Sequence, residues 1–216
     1  YESMSDVKRL FANSSGGFTA DFLASFFARL NKGDVLDSLR ELLKANLPAN
    51  LDPAVAAAAR RTPAPTDGQG EDTLLPLEVV EVVKEYGSYE AVFKYLKPII
   101  TAHKDNKDVV YSFIGAAARS GAVQDVEQAV RNFEYDPNAV KELLKEVKLP
   151  DQLPLVIVCD KHDFVEDLTH YLYRNSMMQY IEAYLQNINP SNTPQVIAAL
   201  IDDNCDENKI KGIINA

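Results

Sequence analysis

The residues best suited to hold a soft metal are Cys159, His162, His170 and Cys205, which on paper make a Cys2His2 zinc set. Their spacing argues against one. Zinc modules present close pairs of Cys or His at both ends. Here Cys159 and His162 straddle an expected helix break, His170 falls on the next helix, and Cys205 lies two helices further on. A core thiol and surface or capping histidines are the expected reading. The run DDNCDEN (Asp202–Asn208) invites calcium. An EF-hand loop started at Asp202, however, puts Glu207 where glycine is needed and Ile213 where the bidentate glutamate belongs. A turn ending in an N-cap at Asp206 accounts for the run better. Asp160, Asp163, Glu166 and Asp167 could supply paired carboxylates for acid–base work. No pocket-forming pattern accompanies them, and acidic residues in a first helical turn favour the macrodipole. With no glycine-rich phosphate loop, nucleophile elbow or Ser-His-Asp order, the sequence assigns no catalytic, cofactor-binding or metal-binding residue. The chain is not read as an enzyme, and no cofactor is expected.

The elements that carry these residues read as helices. Three short helical patterns run back to back from Asp151 to Pro190. Leu155, Val158 and Cys159 form the first apolar stripe. Phe164, Val165, Leu168 and Leu172 form the second, and Met177, Ile181, Tyr184, Leu185 and Ile188 the third. Spacings of three and four put each set on one helical face. Asp163 with Glu166 has the form of a capping box, and Pro154 fits only a first turn. Helices this short are marginal alone and must stack on neighbours, as in an α-solenoid.

Capping residues predict helix starts at Asp34, Ser88, Asn106, Asp136, Asp151, Asp163, Ser176, Thr193 and Asp206, with another near Ala122. Gly87 and Gly121 suit the left-handed position that closes a helix, and Pro137 and Pro194 suit first helical positions. Further stripes are Val110, Phe113, Ile114 and Ala117; Val123, Val126, Val130 and Phe133; and Val140, Leu143, Leu144 and Val147. No segment alternates with period two over a strand's length. The fold class is all-α, an α-solenoid of stacked antiparallel helix pairs recurring about every 30 residues. The chain has no Trp and lacks the tetratricopeptide pattern. Arg60–Pro76 (RRTPAPTDGQGEDTLLP) reads as a mobile insertion at about 61–76. Before it, LDPAVAAAA (Leu51–Ala59) reads as a short helix of weak burial potential.

A hydrophobic content of 46% with 25% charged residues is ordinary for a folded soluble protein. No apolar run approaches the ~20 residues that span a bilayer, and no signal-peptide pattern is visible. A net charge of −10 and a pI near 4.8 argue against nucleic acid and against anionic membrane surfaces. Two cysteines make no disulfide framework and suit a reduced, cytosolic protein. The chain opens on YESMSDVKRL and stops at IINA without a recognisable cap, so it reads as an excised fragment.

Two stretches carry a resemblance. QLPLVIVCDKHDFVEDLTHYLYRN (Gln152–Asn175) and YDPNAVKELLKEVKLPDQ (Tyr135–Gln152) resemble the clathrin heavy-chain family, in the part of the leg built of clathrin heavy-chain repeats. DVKRL (Asp6–Leu10), DVLDSLRELLKANL (Asp34–Leu47) and INPSNTPQVIAALID (Ile188–Asp202) extend the likeness over most of the chain. The resemblance implies one nearly complete repeat over 1–188 and the first helices of the next over 189–216. It implies a structural segment of the triskelion leg, in the lattice of coated pits and vesicles on the cytoplasmic face, serving endocytosis and intracellular transport. Implied partners are other clathrin heavy chains, through homotrimer and lattice contacts. Light chains and adaptors would be reached through parts outside this segment, nucleic acid not at all, and membrane only indirectly. Two other readings stay open. A vacuolar or endosomal tethering subunit would share the repeat. A peptide-binding α-solenoid would need exposed aromatics or Asn on a concave face, whereas Tyr171, Tyr173, Tyr180 and Tyr184 fall mostly at packing positions. LLPLE (Leu74–Glu78) has the form of the leucine peptide that binds the clathrin terminal domain, and YEAV (Tyr89–Val92) resembles a tyrosine sorting signal; a buried helix face expected to begin at Leu77 and a buried Val92 weigh against both.

Overall fold

Apolar spacings of three and four become helices throughout the computed structural model, which describes residues 4–13, 17–44, 48–65, 70–86 and 88–215. Among the described residues there are fourteen α-helices, one 3₁₀ turn and no strand. Contacts divide the chain into two compact units, Tyr1–Ala122 with Asn132–Tyr135, and Val123–Arg131 with Asp136–Ala216.

The first unit contains α1 (Met4–Asn13), α2 (Ala20–Phe27), α3 (Lys32–Lys44), α4 (Pro48–Arg61), α5 (Pro76–Tyr86), α6 (Tyr89–Leu96) and α7 (Lys107–Arg119). Odd-numbered helices stack on odd and even on even, while α3–α4, α5–α6 and α6–α7 contacts join the two rows. That is the packing of a helical repeat, in which each helix buries its apolar stripe against its neighbours. Phe11 meets Phe18 and Phe26 edge-on, and Phe22 stacks between Phe18 and Phe26 with 43% of its surface exposed. The weak burial expected of the alanine-rich helix is corrected. Ala54, Val55, Ala57, Ala58 and Ala59 are all buried, and α4 packs on α2, α3 and α6. Small side chains bury little area each but let helix axes approach closely, so neighbouring residues supply the contacts.

The mobile insertion also needs correction at its flanks. Arg61 still belongs to α4, and Thr62 is buried, sharing a 2.7 Å hydrogen bond with the fully buried Tyr95 hydroxyl. At the other end Leu74 is fully buried, and the Asp72 carboxylate accepts the Lys32 backbone N–H at 2.6 Å. Composition could not show these long-range anchors. Residues 66–69 and the Gly87 helix close lie outside the described residues.

The second unit contains α8 (Val123–Asn132), α9 (Pro137–Val147), α10 (Leu153–Lys161), α11 (Val165–Arg174), α12 (Met178–Asn187), a 3₁₀ turn (Pro190–Asn192), α13 (Thr193–Asp202) and α14 (Glu207–Ile214). The stripes land as spaced, with Val140, Leu143, Leu144, Leu155, Val158, Leu168, Leu172, Ile181 and Leu185 buried. Helix α10 goes further, since Pro154 to Cys159 are buried all round rather than on one face. Ile188 departs from its stripe. It follows α12 as the C-cap and is 41% exposed.

Ser88, Asn106, Asp136 and Asp206 cap their helices as expected, each side chain accepting a first-turn N–H. For α3 the cap is Asn31, whose side chain accepts from Asp34 N–H and donates to the Asp34 carboxylate. Asp151 accepts from Leu153 N–H, so α10 starts two residues later than predicted. Asn192, not Thr193, precedes α13. Asp163 and Ser176 are not N-caps at all. Both have positive φ, 59° and 60°, and close the preceding helix. Phe164 N–H bonds Cys159 C=O at 2.8 Å and Met177 N–H bonds Leu172 C=O at 2.8 Å, the six-to-one bond of a Schellman close. Gly121 (φ 74°) and Asn204 (φ 54°) end α7 and α13 in the same way.

Candidate functional site

Of the carboxylates that could have done chemistry, Asp160 and Asp167 are spent on neighbouring helices, while Asp163 closes α10 and the exposed Glu166 meets His170 of its own helix. In the second unit Asp167 of α11 takes Lys141 on one oxygen and Lys145 on the other, both of α9 and both at 2.6 Å. Asp160 of α10 accepts from the Tyr184 hydroxyl of α12 at 2.7 Å and from Asn189 at 2.9 Å. Asp203, after α13, pairs with Arg174 at 2.6 Å and His170 at 2.8 Å, both of α11. Lys161 of α10 donates to the Val130 and Arg131 carbonyls of α8 at 3.3 Å. The first unit repeats the arrangement with Lys8–Glu41 between α1 and α3, Asp21–Arg60 between α2 and α4, Lys32–Glu78 between α3 and α5, and Asp52–Lys94 between α4 and α6. Each of these ties joins a helix to the next but one or to the residues just past its end.

Their electrostatics fit holding rather than catalysis. Burial alone would raise the Asp167 carboxyl, but the hydrogen bonds from Lys141 and Lys145 outweigh it and hold the group below its ordinary value. Arg174 and then His170 hold Asp203 low as well. Carboxylates kept charged in this way are poor proton donors. Burial and the Asp160 hydrogen bond push the Tyr184 hydroxyl up. Lys141 also lies over the Phe164 ring, 4.3 Å from its centroid.

The residues of the paper zinc set end up in separate roles. Cys159 is fully buried, and burial pushes its thiol up to about 12, far from a nucleophile at neutral pH. His162 follows α10 as its C-cap, its basicity lowered by burial and by Lys161. His170 is held by Asp203, and Cys205 is half-buried. Among the described residues no group of three or more His, Cys, Asp and Glu is placed to hold a metal. In the calcium-like run, Asp203 is engaged by α11, Asn204 closes α13, and Asp206 caps α14. Leu74 and Pro76 of LLPLE are buried, and Glu78 is tied to Leu75 N–H and Lys32. Val92 of YEAV is fully buried while Tyr89 is exposed, so neither pattern is a free linear peptide. Of the four tyrosines expected at packing positions, only Tyr184 is buried; Tyr171, Tyr173 and Tyr180 are half-buried.

One concavity stands out in the first unit. Segments 63–65, 73–76 and 102–107 surround a cavity of about 770 Å³ walled by Pro63, Pro65, Leu75 and Pro76, with His103 among its lining residues. Sequence reasoning missed it because its walls come from three separate stretches. The interhelical ties were missed for a related reason. Their partners stand 22 to 46 residues apart, and only a search for opposite charges two helices apart would have paired them.

Within each unit, short helices tied to alternate members define a helical-repeat protein. The chain belongs to the clathrin repeat family: residues 69–208 match the family described as the region in clathrin and VPS proteins. It is similar to the clathrin heavy chain of Dictyostelium discoideum, 36% identical over 215 residues, and to the probable clathrin heavy chain of Schizosaccharomyces pombe, 40% identical over 215 residues. Clathrin heavy chain 2 of Homo sapiens is 38% identical over 217 residues. These matches cover 99–100% of this chain but only 12–13% of each relative's length.

Proposed function

We propose that this chain is a structural segment of a clathrin-type coat, one stretch of the leg that builds the lattice of coated pits and vesicles. The observation that carries the reading is the similarity to clathrin heavy chains, which runs through 99% of the chain rather than stopping at a single motif. The packing supports it. Alternate-helix ties and Schellman closes fix the stagger between helices, and stagger is what a strut must hold constant. On this reading residues 1–188 make one nearly complete repeat and 189–216 begin the next. The partners are other heavy chains of the lattice, and the setting is the cytoplasmic face of coated membranes. Light chains and adaptors would engage other parts of the protein. The segment would have no reaction of its own. A tethering subunit would share the repeat, but the relatives described above are named clathrin heavy chains.

A chimera tests this. Residues 1–216 would replace the matching stretch of the Dictyostelium discoideum clathrin heavy chain, and purified protein would be assembled and viewed by electron microscopy. Closed polyhedral cages are expected. A folded, trimeric chimera that never forms cages would sink the proposal.

A further inference from the structure

The exits of the helices in the second unit are not alike. Helices α9, α10, α11 and α13 each give way to a residue in left-handed backbone, namely Lys148, Asp163, Ser176 and Asn204. Such a close fixes the direction in which the chain leaves its helix. Helix α12 ends otherwise. It runs out through Ile188 (φ −114°) and Asn189 (φ −143°, ψ 82°), and the 3₁₀ turn Pro190–Asn192 then leads straight into α13. Apolar burial holds this turn weakly, because Ile188, Pro190 and Ser191 are all exposed.

Side chains take over instead. Asp160 Oδ1, near the end of α10, accepts from the Tyr184 hydroxyl at 2.7 Å and from Asn189 Nδ2 at 2.9 Å. The Tyr184 oxygen in turn accepts from Asn192 Nδ2 at 2.5 Å. One carboxylate oxygen and one phenol thus gather α10, α12 and both ends of the turn. Tyr184 is only 2% exposed, so these bonds form where an unmet polar group is costly. Burial and the Asp160 hydrogen bond push its hydroxyl up and keep it a proton donor at neutral pH. The far end of α13 is pinned separately, by Asp203 to Arg174 and His170 of α11. Helix α13 therefore has two anchors, and the one at its start spans the turn.

We propose that Asp160 and Tyr184 are the lock of a joint at 188–192, setting the angle at which α13 and α14 continue the stack. With the lock open, α13 would swing about its Asp203 anchor while the helices before it stay packed. The lock follows from the hydrogen bonds. That the joint falls where one repeat meets the next, so that it would tune the bend of a leg, rests on the coat reading. Distances within this chain test the lock and the chimera's cages test the coat, so either can fail without the other.

The test is a pair of interspin distances measured by double electron–electron resonance on the Cys205→Ser chain, whose remaining Cys159 is buried. Nitroxides on Glu182→Cys and Gln195→Cys, both at exposed positions, span the joint. A second pair on Glu166→Cys and Gln179→Cys, also exposed, reports α11 against α12. Tyr184→Phe keeps the ring and removes the hydroxyl, and should broaden the distribution across the joint about twofold. The α11–α12 distribution should stay as narrow as in the unaltered chain. Asp160→Ala should act in the same way on both pairs. An unchanged distribution across the joint in Tyr184→Phe would overturn the proposal. So would equal broadening of both pairs, which would make the network a general support of the fold. Should Asp160→Ala fail to fold, Tyr184→Phe still decides, since phenylalanine keeps the packing.

Discussion

Asp167 accepts two lysines whose side chains are only 11% and 15% exposed, while 42% of its own surface meets solvent. Such a pair lies between the nearly worthless exposed ion pair and the costly-to-break buried one, and solvent screening discounts it. Asp167→Asn should therefore cost about 1–2 kcal/mol in urea unfolding near neutral pH. The folded carboxyl titrates below its unfolded value, so its stabilisation is complete above the ordinary carboxylate pKa of about 4 and lost as pH falls through the lower folded value. The gap between Asp167→Asn and the unaltered chain should close on that acid side; a gap that persisted there would show packing, not charge. At Cys159 the expectation is kinetic as well as thermodynamic. Replacement by Ala should cost about 1 kcal/mol, and the native thiol should resist alkylation at neutral pH while Cys205 reacts. Equal reaction rates for the two thiols would refute its burial. Cys159 could be read as a core thiol from its apolar stripe alone. His170 could not be placed, because Asp203 approaches it from 33 residues away.

At the scale of the helix, the ends decide more than the middles. A side chain that accepts a first-turn N–H declares itself by type and position, and so Ser88, Asn106, Asp136 and Asp206 were legible. Asp163 and Ser176 were misread because Asp and Ser just before an apolar run suit either an N-cap or a short polar residue in left-handed backbone. The distinction rests on the closing bond back to the previous helix, which the sequence does not display. The backbone itself offers a check. Asp163→Gly should relieve left-handed strain and raise stability by about 1 kcal/mol. Gly121→Ala should lower it by a similar amount, since a methyl group there meets open space and only the φ of 74° opposes it. Both are read from denaturant midpoints. Destabilisation by Asp163→Gly would mean that its side chain, not its φ, matters.

For the molecule as a whole, the all-α class and the helix-pair repeat followed from periodicity, because stripe spacing is local and each repeat reuses it. The burial of α4 and the anchoring of Thr62 and Leu74 did not follow, since alanine and loop composition say nothing about a distant Tyr95 or Lys32. In a stack whose stability is a sum of neighbour terms, damage stays local. Leu39→Ala, in the core of the first unit, should cost about 2–5 kcal/mol there. Hydrogen exchange should reveal lost protection in α3 and α5 and unchanged protection in α11 and α13; equal loss in both places would make the chain one cooperative unit. The ties between alternate helices carry a further consequence, because each skips one helix, from Lys8–Glu41 to His170–Asp203. The fold thus has a reading frame of two. Excising α9 alone would shift every later helix into the opposite row and strand its charges against the wrong partners. Excising α9 with α10 would return them to register. Hydrogen exchange in α11 and α13 should therefore survive the double deletion and not the single one, and length changes tolerated by this architecture should come in even numbers of helices.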